Sequence, residues 1–137
     1  AGGCDFVVLG TVVRETVGVM MEGRKIGFAP VYFGSTAANV VEVPALGKEV
    51  TEGFYAVGGM EIPYRDTSTG KAKEWAEAYF KLYNMEPNTQ SALGYNEDIF
   101  NSPPVKFSPT EHLSATVYLL QQIKDGRWVV LKRDLKN

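Results

Sequence analysis

Two short apolar runs, each closed by a glycine and separated by a stretch of helical periodicity, constrain this chain more than any other feature. They are Cys4-Asp5-Phe6-Val7-Val8-Leu9-Gly10 and Pro30-Val31-Tyr32-Phe33-Gly34. Neither alternates polar with apolar residues, so each reads as a strand covered on both faces of a parallel sheet. Between them Val13, Val17, Met20 and Met21 recur at helical spacing from Val13 to Ile26, with Glu15 in the first turn and Arg24 and Lys25 in the last. Gly27 follows as the stop. The separation suits a strand–helix–strand crossover, which places the two strands parallel and neighbouring.

The pattern continues. Ala37 to Leu46 reads as a short helix interrupted by Pro44, Gly53 to Gly58 as a third strand, and Gly59 to Thr69 as an ordered loop carrying Pro63, Tyr64 and Asp66. A strong helix is predicted over Gly70 to Asn84, with Ala72, Trp75, Ala76, Tyr79, Leu82 and Tyr83 on one stripe and a favourably oriented Glu77–Lys81 pair on the other. Glu86-Pro87-Asn88 breaks it, and Gln90 to Tyr95 starts another short element. Thr116 to Ile123 and Trp128 to Leu131 flank Asp125-Gly126, the signature of a tight antiparallel hairpin. The expected fold class is α/β, with three layers, a mostly parallel sheet and a C-terminal antiparallel hairpin. All 137 residues are expected to form one domain, in which 1–96 supply the strand–helix units and 97–137 a return segment and the hairpin.

Composition narrows the function. At 45% hydrophobic and 22% charged residues the chain can bury one real core. Its net charge of −2, with no basic block, argues against a nucleic-acid partner. No apolar stretch approaches the roughly 20 residues that span a bilayer, and the first residues lack the pattern of a signal peptide, so a chain not inserted in a membrane is expected. Cys4 is the only cysteine, so no intrachain disulfide can form, and the thiol is expected to be buried at the start of its strand. His112, the only histidine, lies in the polar run Ser108 to His112 and reads as a solvated turn residue, because no serine or carboxylate spacing marks it as a triad member. One His and one distant Cys do not make a metal site. The first loop, Gly10-Thr11-Val12-Val13-Arg14, has neither a dinucleotide fingerprint nor a phosphate-loop lysine, so no cofactor is expected. Glu15, Glu42, Glu61 and Asp66 have no spacing that pairs them, which leaves hydrolysis without support; an enzyme is not expected.

Sheets of this type bind ligands in the loops that follow the carboxyl ends of their strands. Three loops qualify: Gly10 to Arg14, Gly34 to Asn39, and Gly58 to Tyr64. Arg14 could hold an anion at a helix start, and the ring of Tyr64 could lie against an apolar or aromatic ligand.

Seven segments together carry a resemblance. They are Cys4 to Gly10, Arg24 to Phe28, Val31 to Ser35, Thr51 to Tyr55, Trp75 to Tyr79, Ala92 to Tyr95 and Tyr118 to Trp128. In this order they resemble the second lobe of the type I periplasmic solute-binding proteins of branched-chain amino acid ABC importers. The resemblance implies a flavodoxin- or Rossmann-like lobe that closes with a first lobe on a small-molecule solute outside the cytoplasm and delivers it to ABC permease subunits. It also implies a partial second lobe, because the family's second lobe starts with a βα unit ahead of the position of Ala1, and a helical stretch expected between the positions of Asn96 and Glu97, which belongs to the first lobe, is absent. Its contacts map onto Thr11, Val12 and Arg14, then Ser35, Thr36 and Ala37, with Tyr64 added from the third loop. Amino acid binders place an acidic residue where this chain has Thr36, and a buried ammonium without a carboxylate is costly. The implied ligand therefore lacks an α-amino group and is a carboxylate, amide or aromatic compound. An isolated lobe with a bare edge is expected to form a homodimer. The same architecture also serves as the ligand-sensing domain of receptors and transcriptional regulators, the alternative reading.

Overall fold

The computed structural model describes residues 3–93 and 117–136. Its elements run β1 (Phe6–Leu9), α1 (Val13–Lys25), β2 (Val31–Gly34), a 3-10 turn (Thr36–Ala38), α2 (Glu42–Gly47), a second 3-10 turn (Lys48–Thr51), β3 (Tyr55–Gly58), α3 (Gly70–Tyr83), α4 (Thr89–Leu93), β4 (Val117–Lys124) and β5 (Arg127–Lys136). They fall into two compact units, Ala1–Gly59 with Val117–Asn137, and Met60–Thr116.

The first unit is built on one five-stranded sheet in the order β1-β2-β3-β4-β5. β1, β2 and β3 pair in parallel, as the glycine-closed runs require, and the hairpin joins β3 antiparallel. By pairings the sheet is thus mixed, two parallel and two antiparallel. α1 makes the crossover between β1 and β2 and ends as the sequence predicts. Gly27 takes φ +72° while its N–H donates to Arg24 O at 3.1 Å and that of Phe28 donates to Gly23 O at 2.9 Å, the paired closure of a Schellman motif.

Because paired residues of neighbouring strands share a face, the register sorts the sheet cleanly. One face carries Leu9, Tyr32, Gly34, Ala56, Gly58, Leu119, Gln121, Ile123 and Trp128, all buried. α1 lies on it, with Gly23 against the Tyr32 hydroxyl. The other face carries Phe6, Val8, Val31 and Val129, which stay 53%, 68%, 47% and 41% exposed, and the half-buried Phe33, Tyr55, Val57 and Leu120.

Several expectations are corrected. Pro44 does not interrupt a helix: it occupies the first turn of α2, where its missing N–H costs nothing, and Ala37 and Ala38 belong to a separate 3-10 turn. β5 runs five residues beyond Leu131, through the charged Lys132-Arg133-Asp134, by taking up irregularities in its pairing with β4 and a positive φ of 58° at Asp134. Cys4 is exposed, its Sγ donating to Phe6 O at 3.1 Å, because β1 begins only at Phe6. The hairpin turn is as expected, with Asp125 and Gly126 both at positive φ, 51° and 70°.

In the second unit Met60, Ala72 and Ala92 form a core against which Trp75 packs. α3 buries Ala72 and Ala76, but Leu82 and Tyr83 at its end, assigned to the same stripe, are 73% and 57% exposed because the helix outruns its packing surface. The expected Glu77–Lys81 pair does not form. Glu77 faces Arg65 at 3.6 Å instead, and Arg65 also pairs with Glu86 at 2.7 Å and lies 3.8 Å over the Phe80 ring. α4 starts on a reciprocal cap, Ser91 N–H donating to Asn88 Oδ1 at 2.8 Å and Asn88 N–H donating to Ser91 Oγ at 2.9 Å. Tyr95, His112 and Thr116 lie outside the described residues.

Candidate functional site at the carboxyl ends of the strands

Leu9 stands beside Gly34, and Gly34 beside Ala56, so the three parallel strands end on one edge of the sheet with β3 reaching two residues further. The segments leaving β1 and β2 therefore start side by side. Ser35 ties them together, its N–H donating to Leu9 O at 3.3 Å.

The first segment carries Thr11, Val12 and Arg14. Thr11 is half-buried, and its hydroxyl shares a 2.7 Å hydrogen bond with that of Thr16, which is fully buried in α1. Val12 is the N-cap of α1, 55% exposed, and no side chain caps the helix there. Arg14 is exposed on the first turn beside Glu15. The positive end of the helix dipole and an exposed arginine thus share the first turn of α1.

The second segment carries Ser35, Thr36 and Ala37. Ser35 caps the 3-10 turn and is half-buried, while Thr36 and Ala37 are exposed. The turn is held by Ala38 N–H donating to Ser35 O at 3.1 Å and by Asn39 N–H donating to Thr36 O at 3.2 Å. Gly34 makes this tight return possible, because a Cβ there would lie 2.5 Å from the Phe54 ring and 3.1 Å from Ala38 Cβ. Tyr64 belongs to the second unit, where it is half-buried and its carbonyl accepts from the N–H and the hydroxyl of Ser68, at 2.9 and 2.7 Å. Next to it, the Glu86 carboxylate pushes the Arg65 guanidinium further above its already high range, so this anchor stays charged at any working pH.

Sequence reasoning missed the groups beneath the rim. Asn39 and Gln121 are 4% and 1% exposed, and Gln121 Nε2 donates to Asn39 Oδ1 at 2.9 Å. Next to them Trp128 Nε1–H donates to Val40 O at 2.9 Å. The signal lay in β4, where glutamine interrupts the inward series Leu119, Gln121, Ile123, a position at which a buried polar group must find a partner. Among the described residues no cluster of three or more His, Cys, Asp or Glu could hold a metal ion, and no helix is long and apolar enough to cross a membrane.

No protein-family model matches the chain, and no curated protein matches it in sequence. Solved structures do match its fold. A branched-chain amino acid ABC transporter protein from Thermus thermophilus with bound valine superimposes with a TM-score of 0.67 at 15% identity, over 98% of this chain and 47% of that one. A solute-binding protein of an ABC transporter from R. palustris, in complex with benzoate, gives 0.69 at 14% identity over 94% and 42%. A fatty acid ABC transporter substrate-binding protein from Thermomonospora curvata gives 0.75 at 16% identity over 95% and 43%. The chain thus spans less than half the length of these proteins and has the fold of one lobe of a type I periplasmic binding protein.

Proposed function

We propose that this chain is a solute-binding lobe of an ABC importer, which supplies one wall of a cleft, closes with a second lobe over a small organic solute and hands it unchanged to permease subunits outside the cytoplasm. The observation that carries the reading is the pair of rim segments, Thr11 to Arg14 and Ser35 to Ala37, leaving in-register strand ends of a sheet with this fold. Ligand binding between two such walls works by stabilising the closed arrangement. Thr11, Val12, Arg14, Ser35, Thr36 and Ala37 are the proposed contacts.

The solute class rests on the resemblance and on charge. Thr36 stands where the resemblance places an acidic partner for an ammonium, and Arg14 with the open start of α1 favours a negative group. A carboxylate without an α-amino group fits best, aromatic or aliphatic. The benzoate complex and the fatty acid transporter protein among the neighbours are in line with this chemistry, whereas the valine complex is not.

One wall alone binds weakly, so the test is chemical-shift mapping of the 137-residue chain with millimolar benzoate, octanoate and L-valine. Benzoate or octanoate is expected to shift the amides of residues 11–14 and 35–39, and L-valine to leave them in place. Shifts by valine alone, shifts elsewhere only, no shift by either carboxylate, or chemical turnover would overturn the reading. The isolated chain is also expected to pair with a second copy of itself along β1. That edge carries no charge, whereas β5 is blunted by Lys132, Arg133 and its irregular pairing. A monomer by sedimentation at millimolar concentration would remove this expectation.

A further inference from the structure

Two consecutive residues behind the second rim segment are tied to the C-terminal hairpin. Asn39 accepts from Gln121 of β4, 82 residues away in sequence, and Val40 O accepts from the Trp128 indole of β5. Both bonds are buried, and both lie on the covered face of the sheet. Gly58, at the end of β3, leaves the room for the first: a Cβ there would overlap Asn39 Oδ1 and lie 2.5 Å from Gln121 Nε2. The Trp128 ring is itself seated against Phe54, centroids 5.7 Å apart, and Phe54 closes under Gly34.

The Asn39–Gln121 pair is not an economical piece of core. Among the described residues Asn39 Nδ2 is buried without a hydrogen-bond partner. An unmet buried donor is destabilising, whereas two apolar side chains of the same shape would be neutral or better. Apolar packing, however, is non-directional, and it would leave a three-residue 3-10 turn free to slide or roll on the sheet. A directed bond fixes it.

We propose that Gln121 and Trp128 are positioning residues: through Asn39 and Val40 the hairpin holds the Ser35–Ala37 segment in the placement that meets the solute, at a cost in overall stability. This deepens the solute-binding reading and rests on it only for the purpose of the segment. The placement itself is read without any ligand.

The experiment is site-resolved amide hydrogen exchange on the full chain, comparing wild type with the double variant Asn39→Leu/Gln121→Met. Exchange at the Ala38 and Asn39 amides, which close the 3-10 turn, is expected to quicken by about tenfold or more, while the Ile123 amide, bonded to Phe54 O at 2.9 Å, is unchanged and the melting temperature is equal or higher. A second variant, Trp128→Phe, keeps a ring on Phe54 but removes the donor to Val40, and is expected to give the same local signature. Exchange at residues 38 and 39 within about twofold of wild type in both variants, or a rise at Ile123 in proportion, would overturn the proposal, because a purely structural bond moves all amides together. Benzoate mapping on wild type judges the other question. If benzoate, octanoate and valine all fail there while the local exchange signature appears, the solute reading falls and the tether stands.

Discussion

The two faces of the sheet in the first unit are almost equally apolar and have opposite fates. One bears Leu9, Tyr32, Ile123 and Trp128 and is covered; the other bears Phe6, Val8, Val31 and Val129 and is largely bare. Hydropathy alone does not separate them. At the carboxyl ends of β2 and β3 size does: there the covered face carries Gly34, Ala56 and Gly58, although Tyr32 precedes them, where the opposite face carries the half-buried Phe33, Tyr55 and Val57. Small residues let the 3-10 turn, Phe54 and the Asn39–Gln121 pair lie directly on the strands, so close packing rather than apolarity marks the covered side there.

The sharpest test uses two neighbours in β5 that point to opposite faces. Trp128 is 5% exposed, packs on Phe54 and donates to Val40, so Trp128→Ala is expected to cost about 3–5 kcal/mol in urea unfolding, cavity included. Val129→Ala, one residue on, is expected to cost under about 1 kcal/mol, since a smaller side chain that is 41% exposed has far less burial to lose than Trp128. Equal losses at the two positions would mean that the faces are not as different as their exposures.

Gly58→Ala probes the small-residue rule itself. The added methyl meets the Asn39 and Gln121 carboxamides, which are bonded to each other and cannot both retreat. The expected cost is about 1–3 kcal/mol, the usual penalty for overpacking a close contact. By contrast Gly10→Ala, at a position with open space around its Cβ, is expected to change stability by no more than about 0.5 kcal/mol. Similar costs at the two glycines would leave close packing without support as the distinguishing feature.

Much of this fold could be read beforehand, and for identifiable reasons. The crossover from β1 to β2 followed from two apolar runs closed by Gly10 and Gly34, the end of α1 from Gly27, and the hairpin from Asp125-Gly126, all of them signals within a few residues. What was missed depends on distant partners. Pro44 reads as a breaker because its place in the first turn of α2 is fixed by where the preceding 3-10 turn ends. The apolar pattern of β5 stops at Leu131, because pairing with β4, not side-chain pattern, holds its last residues extended. Of the candidate site, the strand ends and their loops were visible in the glycines. The support beneath them was not, because nothing near Asn39 names a glutamine 82 residues later as its partner.

The smallest expected effect falls on the bare face. Val8 is 68% exposed in a strand whose outer edge is unpaired among the described residues, so Val8→Thr keeps the β-branched shape while giving up only the small apolar area still in contact. Its cost in a monomeric chain is expected within about 0.5 kcal/mol, below the scatter of many surface substitutions. If the chain self-associates along β1, Val8 gains a cross-strand neighbour from the second copy, and the apparent stability falls with dilution for wild type more than for the variant. Urea midpoints for both proteins across a hundredfold range of concentration, about two decades, therefore separate a face that is simply solvated from one that meets another copy. Coincident, concentration-independent midpoints would assign Phe6, Val8 and Val31 to solvent, and leave the contrast between the two faces as a property of the single chain.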